Sequence, residues 1–435
     1  MSLGRHIVRF LTVLAAVAAV LTGAGLPASA AVAGLPLGPA NLIETRSTTM
    51  VQPGVSLTVI VRGEPDPATV WTVEVAVPVS PDPNRPPTAI ADREHADALA
   101  TKLDGYGFTA RVEPVTTPAV ADYSGGTLGF RVRVGRYADP AGADATLSAV
   151  RAAGFTASRV FTGWDGAATD RGPWRLQMLT IDPRQLRGEL TASYGPDLER
   201  RETTSALATA AGATAAVNAG FFVLDPRAGA PGDPAGVGVY GGQLLSETTN
   251  GRPAFTFRDN GQGAAAVRLS WTGSVQGRYG QQLALDGINR VPGLIRNCGG
   301  TPDDLPTSHP LHDTTCTDPD ELIAFTPQYG ALTPAGPGIE AVLDGSGTVR
   351  ELRSPRGGPL PADGRSVQAT GTAADALQRL AIIGQRPADP LTAHRRAQPH
   401  PSPVTRHPSP VTMIVNGAPE LVRNGQPHAT QRPTA

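Results

Sequence analysis

A pattern of strand, helix and strand occurs twice between residues 70 and 162, and it constrains the fold of this chain more than any other feature. The segment from Gly107 to Val112, Gly-Phe-Thr-Ala-Arg-Val, recurs as Gly154 to Val160 with one residue inserted. Each copy follows an Ala-rich stretch with the apolar spacing of a helix, Ala91 to Leu103 and Ala143 to Ala152. The two copies therefore predict two similar structural units.

An alternating stretch typical of a strand precedes each of these helices, Trp71 to Val77 and Phe130 to Tyr137. The element order is then βαββαβ. This order predicts a ferredoxin-like α+β domain over residues 70–162, in which a four-stranded sheet carries two helices on one face.

This duplicated unit resembles the SPOR family, the sporulation-related module that binds peptidoglycan glycan strands lacking stem peptides. The strand Arg-Val-Arg-Val-Gly-Arg-Tyr, from Arg131 to Tyr137, is typical of that family. Because side chains alternate along a strand, we predict that Arg131, Arg133 and Tyr137 share one face and bind peptidoglycan. The alternative is an ordinary strand face that only contacts water.

A second informative stretch is Val217 to Phe222, Val-Asn-Ala-Gly-Phe-Phe. It closes a run of small residues, Ala208 to Ala216, and opens a loop rich in Gly, Pro and Asp. We predict a buried strand that brings Asn218, Phe221 and Phe222 to a rim where a sugar-sized ligand could bind. The alternative is a turn with two core phenylalanines.

Four segments in order resemble the phosphodiester glycosidase family, which includes the lysosomal uncovering enzyme. They are Asn218 to Phe222, Asp286 to Arg290, Asp320 to Gly330 and Val415 to Val422. The resemblance covers roughly residues 170–425. It implies a strand-rich mixed α+β domain over residues 174–425 that hydrolyses sugar-1-phosphodiesters.

Later family segments, including the Asp-Gly-Gly-Gly-Ser-Ser loop, do not occur in this sequence. The resemblance therefore implies an incomplete, apparently truncated glycosidase domain, and we expect little or no glycosidase activity. We also expect the strands that end at Phe222, Phe325 and Val422 to lack sheet neighbours and to leave unpaired edges.

The resemblance singles out Asn218, Asn289 and Arg290 as catalytic candidates. Arginine suits a phosphodiester because its planar guanidinium can donate to two phosphate oxygens. Arg290 is the first candidate for this role and Arg252 the second. The alternative for each is an ordinary surface arginine. Asp286 is either the carboxylate of the reaction or, as we prefer, a cap of the turn. Further substrate-binding candidates are Phe221, Phe222, Arg252, Thr326, Tyr329 and Asn416. Tyr329 is equally suited to a core position.

The chain has two cysteines, Cys298 and Cys316. In an exported protein such a pair predicts a disulfide. The loop between them also contains His309, His312 and three aspartates, but its spacing matches no zinc pattern, so we expect no metal and no other cofactor.

The first thirty residues have the pattern of a secretory signal, with Arg5 and Arg9, a short apolar core and an Ala-Ser-Ala site ending at Ala30. An uncleaved membrane anchor is the alternative. We expect a secreted or wall-associated protein with no membrane span after cleavage. The net charge of −1 provides no basic field for nucleic acid.

The remaining divisions are an extended lead-in (31–69), a linker (163–173), a low-complexity stretch (390–412) and a tail (426–435). Two functions stay open. One is an envelope hydrolase of sugar-1-phosphodiesters that binds cell-wall glycan through its first domain. The other is a catalytically inactive homologue that acts as a peptidoglycan-binding protein.

Overall fold

The computed structural model describes residues 34–35, 37–80, 87–117, 124–165, 170–249, 253–261, 263–277, 280–296, 303–306, 315–384, 413–416, 422–423 and 426–427. The predicted signal segment and the low-complexity stretch lie outside these ranges.

A β-hairpin opens the described chain, within the stretch expected as an extended lead-in. Strands β1 (Glu44–Gln52) and β2 (Val55–Arg62) pair antiparallel. Gly54 makes their turn at a φ of 80°, and a Cβ there would lie 2.5 Å from the backbone nitrogen of Leu186. Glycine is therefore required at this turn both by its backbone angle and by its close neighbour.

The duplicated unit has the predicted element order. Its elements are β3 (Trp71–Val75), α1 (Arg93–Gly105), β4 (Ala110–Thr117), β5 (Gly126–Tyr137), α2 (Pro140–Ala152) and β6 (Ala157–Phe161). The strands form an antiparallel sheet in the order β4-β5-β3-β6. Both helices pack on the same face, over a core that contains Val73, Leu99, Leu103, Val132 and Val150. The α+β prediction is confirmed.

Strand β7 (Trp174–Ile181) pairs antiparallel with β2 along its whole length, with Arg62 opposite Trp174. The sheet order is β1-β2-β7. Two strands that are neighbours in this sheet are thus more than a hundred residues apart in the sequence, and the duplicated unit is inserted between them.

The rest of the described chain is rich in short strands. Its elements are α3 (Thr204–Ala210), β8 (Gly238–Tyr240), β9 (Gln243–Ser246), β10 (Pro253–Phe257), β11 (Ala265–Arg268), β12 (Ser274–Gln276), β13 (Gln282–Ala284), β14 (Gly287–Ile288), β15 (Ile295–Arg296), β16 (Leu305–Pro306), β17 (Thr315–Thr317), β18 (Leu322–Phe325), β19 (Leu332–Gly336), β20 (Ile339–Leu343), β21 (Val349–Arg353), β22 (Arg356–Pro359), β23 (Arg365–Ala369), α4 (Gly371–Leu380), β24 (Met413–Asn416), β25 (Val422–Arg423) and β26 (Gln426–Pro427).

Two five-stranded sheets dominate this part, with the orders β11-β10-β24-β8-β9 and β14-β18-β23-β20-β21. In the second sheet β14 and β18 are parallel, and α4 packs against the sheet through the buried Leu377. Strand β18 is buried along its whole length between β14 and β23. The prediction that the strand ending at Phe325 lacks sheet neighbours is therefore wrong.

The predicted buried strand before Phe222 does not form. Helix α3 takes the start of the small-residue run, Gly212 follows its end at a φ of 60°, and Val217 is 76% exposed. The run is rich in alanine, which favours helix over strand and buries little apolar area. Phe222 pairs only as an isolated bridge with Pro234.

Among the described residues, no helix is both long enough and apolar enough to cross a membrane.

Candidate functional site

The sheet face of the duplicated unit that points away from its helices carries a buried ion network. Arg133 is only 1% exposed. Its guanidinium donates to Glu74 at 3.1 Å, to Glu113 at 3.0 Å and to both carboxylate oxygens of Asp165 at 2.7 Å. Arg131 also donates to Asp165, at 3.0 Å. These arginines share one face, as predicted, but their charge is neutralised within the sheet.

Burial lowers the pKa of Arg133, but its hydrogen bonds to Asp165 and the charges of Asp165, Glu74 and Glu113 outweigh this, and the pKa is raised overall. The guanidinium is therefore a structural cation that holds three carboxylates, and little of it is available to a ligand.

Tyr137 does not share this face, so that part of the prediction is wrong. A bulge between the Val73–Val134 and Trp71–Tyr137 pairs reverses the alternation of β5. The Tyr137 ring packs against the helix-side core, and its hydroxyl hydrogen-bonds to Thr146 of α2. Gly135 allows the bulge with a φ of 70°, and a Cβ there would lie 2.3 Å from the Tyr137 hydroxyl oxygen.

In the second part of the chain, Asn289 follows β14 and joins three elements. Its Nδ2 donates to the carbonyl of Leu245 at 3.0 Å and to Oγ1 of Thr326 at 3.1 Å, and its Oδ1 accepts from the amide of Thr326 at 2.8 Å. Asn289 is 1% exposed and has a φ of 55°, a left-handed angle that asparagine tolerates. The side chain predicted to be catalytic is occupied in holding β9, β14 and β18 together.

The next residue, Arg290, lies buried between two glutamates. Its Nε donates to Glu247 at 2.7 Å and its Nη2 donates to Glu321. Glu247 also accepts from the amide of Ile288 at 2.9 Å, and Glu321 from the amide of Gly293. Burial lowers the pKa of Arg290, but the charges of Glu321 and Glu247 raise it more. This arrangement places two carboxylates and one guanidinium beneath the end of β14.

A pocket opens beside this ion group. It is lined by Val223, Ala228, Gly229, Asp233, Pro234, Gly236, Glu247, Thr249, Arg290 and Leu294. Its cavity volume is about 20 Å³, which is room for one or two water-sized groups. Both oxygens of Asp233, Oγ1 of Thr249 and Nη1 of Arg290 are buried without a hydrogen-bond partner among the residues that the structure describes.

Asp286 sits just before β14, where its Oδ2 accepts from the amide of Leu322 at 2.6 Å. It ties β14 to β18, and the preferred interpretation as a cap of its own turn is wrong. Burial raises the pKa of Asp286 to about 6. Tyr329 is 2% exposed and packs with Phe325 and Ile323, so its core interpretation is the one that holds.

The Asn218 segment lies at the surface. Asn218 is exposed, and Phe221 and Phe222 are 44% and 40% exposed. The chain then turns inward, and the amide of Val223 donates to the carbonyl of Asp233 at 2.9 Å. The segment thus reaches the pocket through Val223 and not through its asparagine.

The remaining predicted residues are divided between the two sheets and the undescribed ranges. Asn416 ends β24, where its backbone lies opposite Ala254 of β10. Arg252 and Cys298 lie outside the described residues. Cys316 is fully buried in β17, and no described cysteine is a free thiol, but the pairing with Cys298 stays a prediction.

One group of acidic side chains meets the distance requirement of a cation site. Carboxylate oxygens of Asp303, Asp304 and Asp318 lie within 4.8 Å of one another. Burial raises the pKa of Asp304 to about 6. His309 and His312, considered as metal ligands from the sequence, lie outside the described residues.

Sequence reasoning missed Asp233 and Glu247. Asp233 occurs in Gly-Asp-Pro inside a loop with turn composition, and Glu247 follows a two-leucine strand. Only the burial of two acidic side chains distinguishes them, and no local pattern predicts burial there. Three of the four segments that resemble a glycosidase meet at this pocket and its ion group. Arg290 and Glu321 belong to two of them, and Val223 directly follows a third.

Residues 88–160 match the family model of the SPOR domain. The crystal structure of the "Putative exported protein" from Burkholderia pseudomallei matches this chain with a TM-score of 0.68 and 30% identity, over 89% of this chain and 74% of that one. The chain belongs to the same family as this Burkholderia protein. The SPOR prediction is confirmed.

A hypothetical protein from Synechocystis matches with a TM-score of 0.37 and 14% identity, over 89% of this chain and 58% of that one, which is too low to bear on the fold. No curated protein matches the chain. None of these matches names a glycosidase, so that part of the sequence interpretation stays a prediction.

Proposed function

We propose that this protein works in the cell envelope and binds peptidoglycan glycan strands through its SPOR domain. The SPOR match at residues 88–160 is the observation that carries the proposal. The description of its Burkholderia relative as an exported protein supports the location.

The sheet face that carries Arg131 is the glycan-binding surface in this proposal. Arg131 keeps 16% of its side chain exposed, whereas Arg133 keeps 2%. The ion network fixes the Arg131 guanidinium in place, so little conformational entropy is lost when a sugar hydroxyl binds to it.

Sedimentation of the full chain with purified peptidoglycan tests this surface. Arg131→Gln should weaken binding several-fold, while Asp165 keeps its two bonds from Arg133. The matched control is Arg93→Gln on α1, across the sheet, which has a 63% exposed side chain, pairs with Asp97 and lies over the Phe130 ring with its guanidinium carbon 5.2 Å from the ring centroid. Equal binding by both variants and the unmodified chain would remove this face from the proposal.

For the second part of the chain we propose hydrolysis of sugar-1-phosphodiesters. The convergence of distant segments on one pocket, where two carboxylates and a guanidinium are buried, supports it. In the reaction, a water oxygen bonds to the anomeric carbon and the bond from that carbon to the phosphate oxygen breaks. The electron pair leaves with the phosphate, and a carboxylate accepts the proton of the water.

Arg290 fits only part of the phosphate-binding role suggested by the sequence. Glu247 and Glu321 occupy two of its three nitrogens, and only Nη1 remains for a ligand. The proposal therefore gives Arg290 the task of positioning the glutamates while donating one hydrogen bond.

The assay is release of N-acetylglucosamine from a chromogenic N-acetylglucosamine-1-phosphodiester by the full chain. Turnover that is lost in Arg290→Ala supports hydrolysis. Peptidoglycan binding without any turnover would favour the second candidate, an inactive homologue that acts as a peptidoglycan-binding protein.

A further inference from the structure

Several polar atoms around the pocket beside Arg290 have no hydrogen-bond partner among the described residues. Asp233 and Thr249 are 3% and 5% exposed, and within the described part of the chain neither Asp233 oxygen nor the Thr249 hydroxyl has a hydrogen-bond partner. Burial raises the pKa of Asp233, and the nearby backbone of Ala230 opposes this rise without meeting the geometry of a hydrogen bond. Nη1 of Arg290 is also unused.

Such atoms are uncommon in a folded protein, because burial without a partner costs free energy that a hydrogen bond would recover. Here they line one small pocket and belong to three separate segments, which makes coincidence a poor explanation. Their common position indicates a bound group that offers both a donor and an acceptor.

The charges around the pocket restrict that group further. The charges of Glu247, Glu199 and Arg290 act on Asp233, Asp233 in turn acts on the Tyr329 hydroxyl, and Arg290 is already paired with two glutamates. Glu199, Glu247 and Glu321 outnumber Arg290 even when Asp233 is protonated, and this surplus of negative charge disfavours an anion such as phosphate. The free N–H of Arg290 disfavours a cation, since it presents a donor where a cation needs an acceptor.

A hydroxyl group meets both restrictions, because it donates one hydrogen bond and accepts others without carrying charge. Its size also suits a cavity of about 20 Å³. The apolar side chains of Val223 and Leu294 complete the lining, as in many sites that bind the mixed surface of a sugar.

We propose that this pocket binds a hydroxyl-bearing group of a neutral sugar, with Asp233 accepting from the sugar hydroxyl and Nη1 of Arg290 donating to a sugar oxygen. The inference deepens the hydrolase proposed above, and it rests on that function only for the expectation that the ligand is a sugar.

Ligand-observed NMR on the full chain tests it, with N-acetylglucosamine and methyl glucoside as neutral probes and inorganic phosphate as the anionic probe. A neutral sugar should bind in preference to phosphate. Asp233→Ala should weaken sugar binding by about tenfold or more, and Thr249→Val should weaken it less. Asp233→Asn keeps a carbonyl acceptor and an N–H donor, as a protonated aspartate does, and should bind sugar nearly as well as the unmodified chain. Thr256→Val is the matched control, because that buried hydroxyl already donates to the Ala265 carbonyl at 3.2 Å.

Thermal unfolding separates ligand binding from a structural role for Asp233, because a structural role predicts that substitution of Asp233 lowers the unfolding temperature. Burial and then the charges of Glu247 and Glu199 raise the pKa of Asp233 well above its usual range, with Arg290 opposing them. The folded protein therefore holds this proton more tightly than the unfolded chain. Its stability should fall as the pH rises from the ordinary aspartate range through the raised pKa.

Asp233→Asn removes that loss, so at neutral pH this variant should unfold at the same or a higher temperature while still binding sugar. Unchanged sugar binding by Asp233→Ala would overturn the inference, as would a lower unfolding temperature of Asp233→Asn, binding of phosphate alone or binding of neither probe. Turnover of the phosphodiester without sugar binding contradicts only the inference, whereas sugar binding without turnover contradicts only the proposed hydrolase.

Discussion

At the scale of single residues, the second part of the chain depends on charges that are buried and paired. Arg290 joins Glu247 of one sheet region to Glu321 of another, and each glutamate also accepts a backbone amide. Ion pairs of this kind cost desolvation when they form, but removing one partner leaves an uncompensated charge in a medium of low dielectric. The group is therefore sensitive to loss of any member.

We expect Glu321→Gln to lower the free energy of unfolding by about 1.5 to 3 kcal/mol. Glu321 is 0% exposed, and the substitution removes the charged acceptor of Arg290 Nη2 and of the Gly293 amide, while Glu247 still pairs with Arg290. Urea titration measures the change. Glu351→Gln is the control, because Glu351 pairs with Arg353 at 2.9 Å with a 54% exposed side chain, and its loss should cost less than about 1 kcal/mol. Similar losses in both variants would contradict the structural importance of the buried group.

At the scale of elements, the sequence predicts the SPOR unit because its periodicity is local. Val132 and Val134 alternate with Arg131 and Arg133, and that pattern alone fixes a strand with one apolar face. The bulge at Gly135 was not predicted, since a single glycine inside a strand does not reveal that it reverses the face of Tyr137.

The candidate site was less predictable for a related reason. Arg290 could be selected from its segment, but its partner Glu247 lies 43 positions away. The sequence predicts Asn218 at the end of a buried strand, but the alanine-rich run before it forms helix and loop instead. Contacts between distant segments depend on tertiary packing, which local composition does not encode.

The bulge gives a test at this scale. Gly135→Ala should destabilise the SPOR unit by about 1 to 3 kcal/mol, because alanine strains at a positive φ and its Cβ would meet the Tyr137 ring. Gly105→Ala at the end of α1 is the matched control, with no atom within 4 Å of the added Cβ, and it should be neutral or slightly stabilising. Near-ultraviolet circular dichroism during urea unfolding follows both variants. An unchanged midpoint for Gly135→Ala would count against the bulge.

At the scale of the whole molecule, the SPOR unit is an insertion between two paired strands. Arg62 at the end of β2 lies opposite Trp174 at the start of β7, and the amide of Glu64 donates to the Arg171 carbonyl at 3.1 Å. Within the unit, Val70 and Thr162 are also bonded, with the amide of Thr162 donating to the Val70 carbonyl at 3.0 Å. Both ends of the insertion therefore lie side by side.

This geometry predicts that the insertion can be removed without loss of the remaining fold. Replacing residues 65–170 by a short Gly-Ser linker should preserve cooperative unfolding of the rest, because β2 and β7 still pair. Sedimentation with peptidoglycan should be lost. The reciprocal fragment, residues 65–165, should fold alone and sediment with peptidoglycan. Unfolding of the shortened chain, or its continued sedimentation, would contradict this division.

The SPOR unit is joined to the rest of the chain by two neighbouring connections, and these limit how the two parts can rotate against each other. A domain attached by one flexible chain can swivel in every direction, whereas a domain attached by two neighbouring strands turns mainly about the line that joins them. If the SPOR domain binds a glycan strand as proposed, the rest of the molecule stays close to that strand and its rotation is restricted. It would then meet chemical groups near that strand at high effective concentration and meet distant ones rarely.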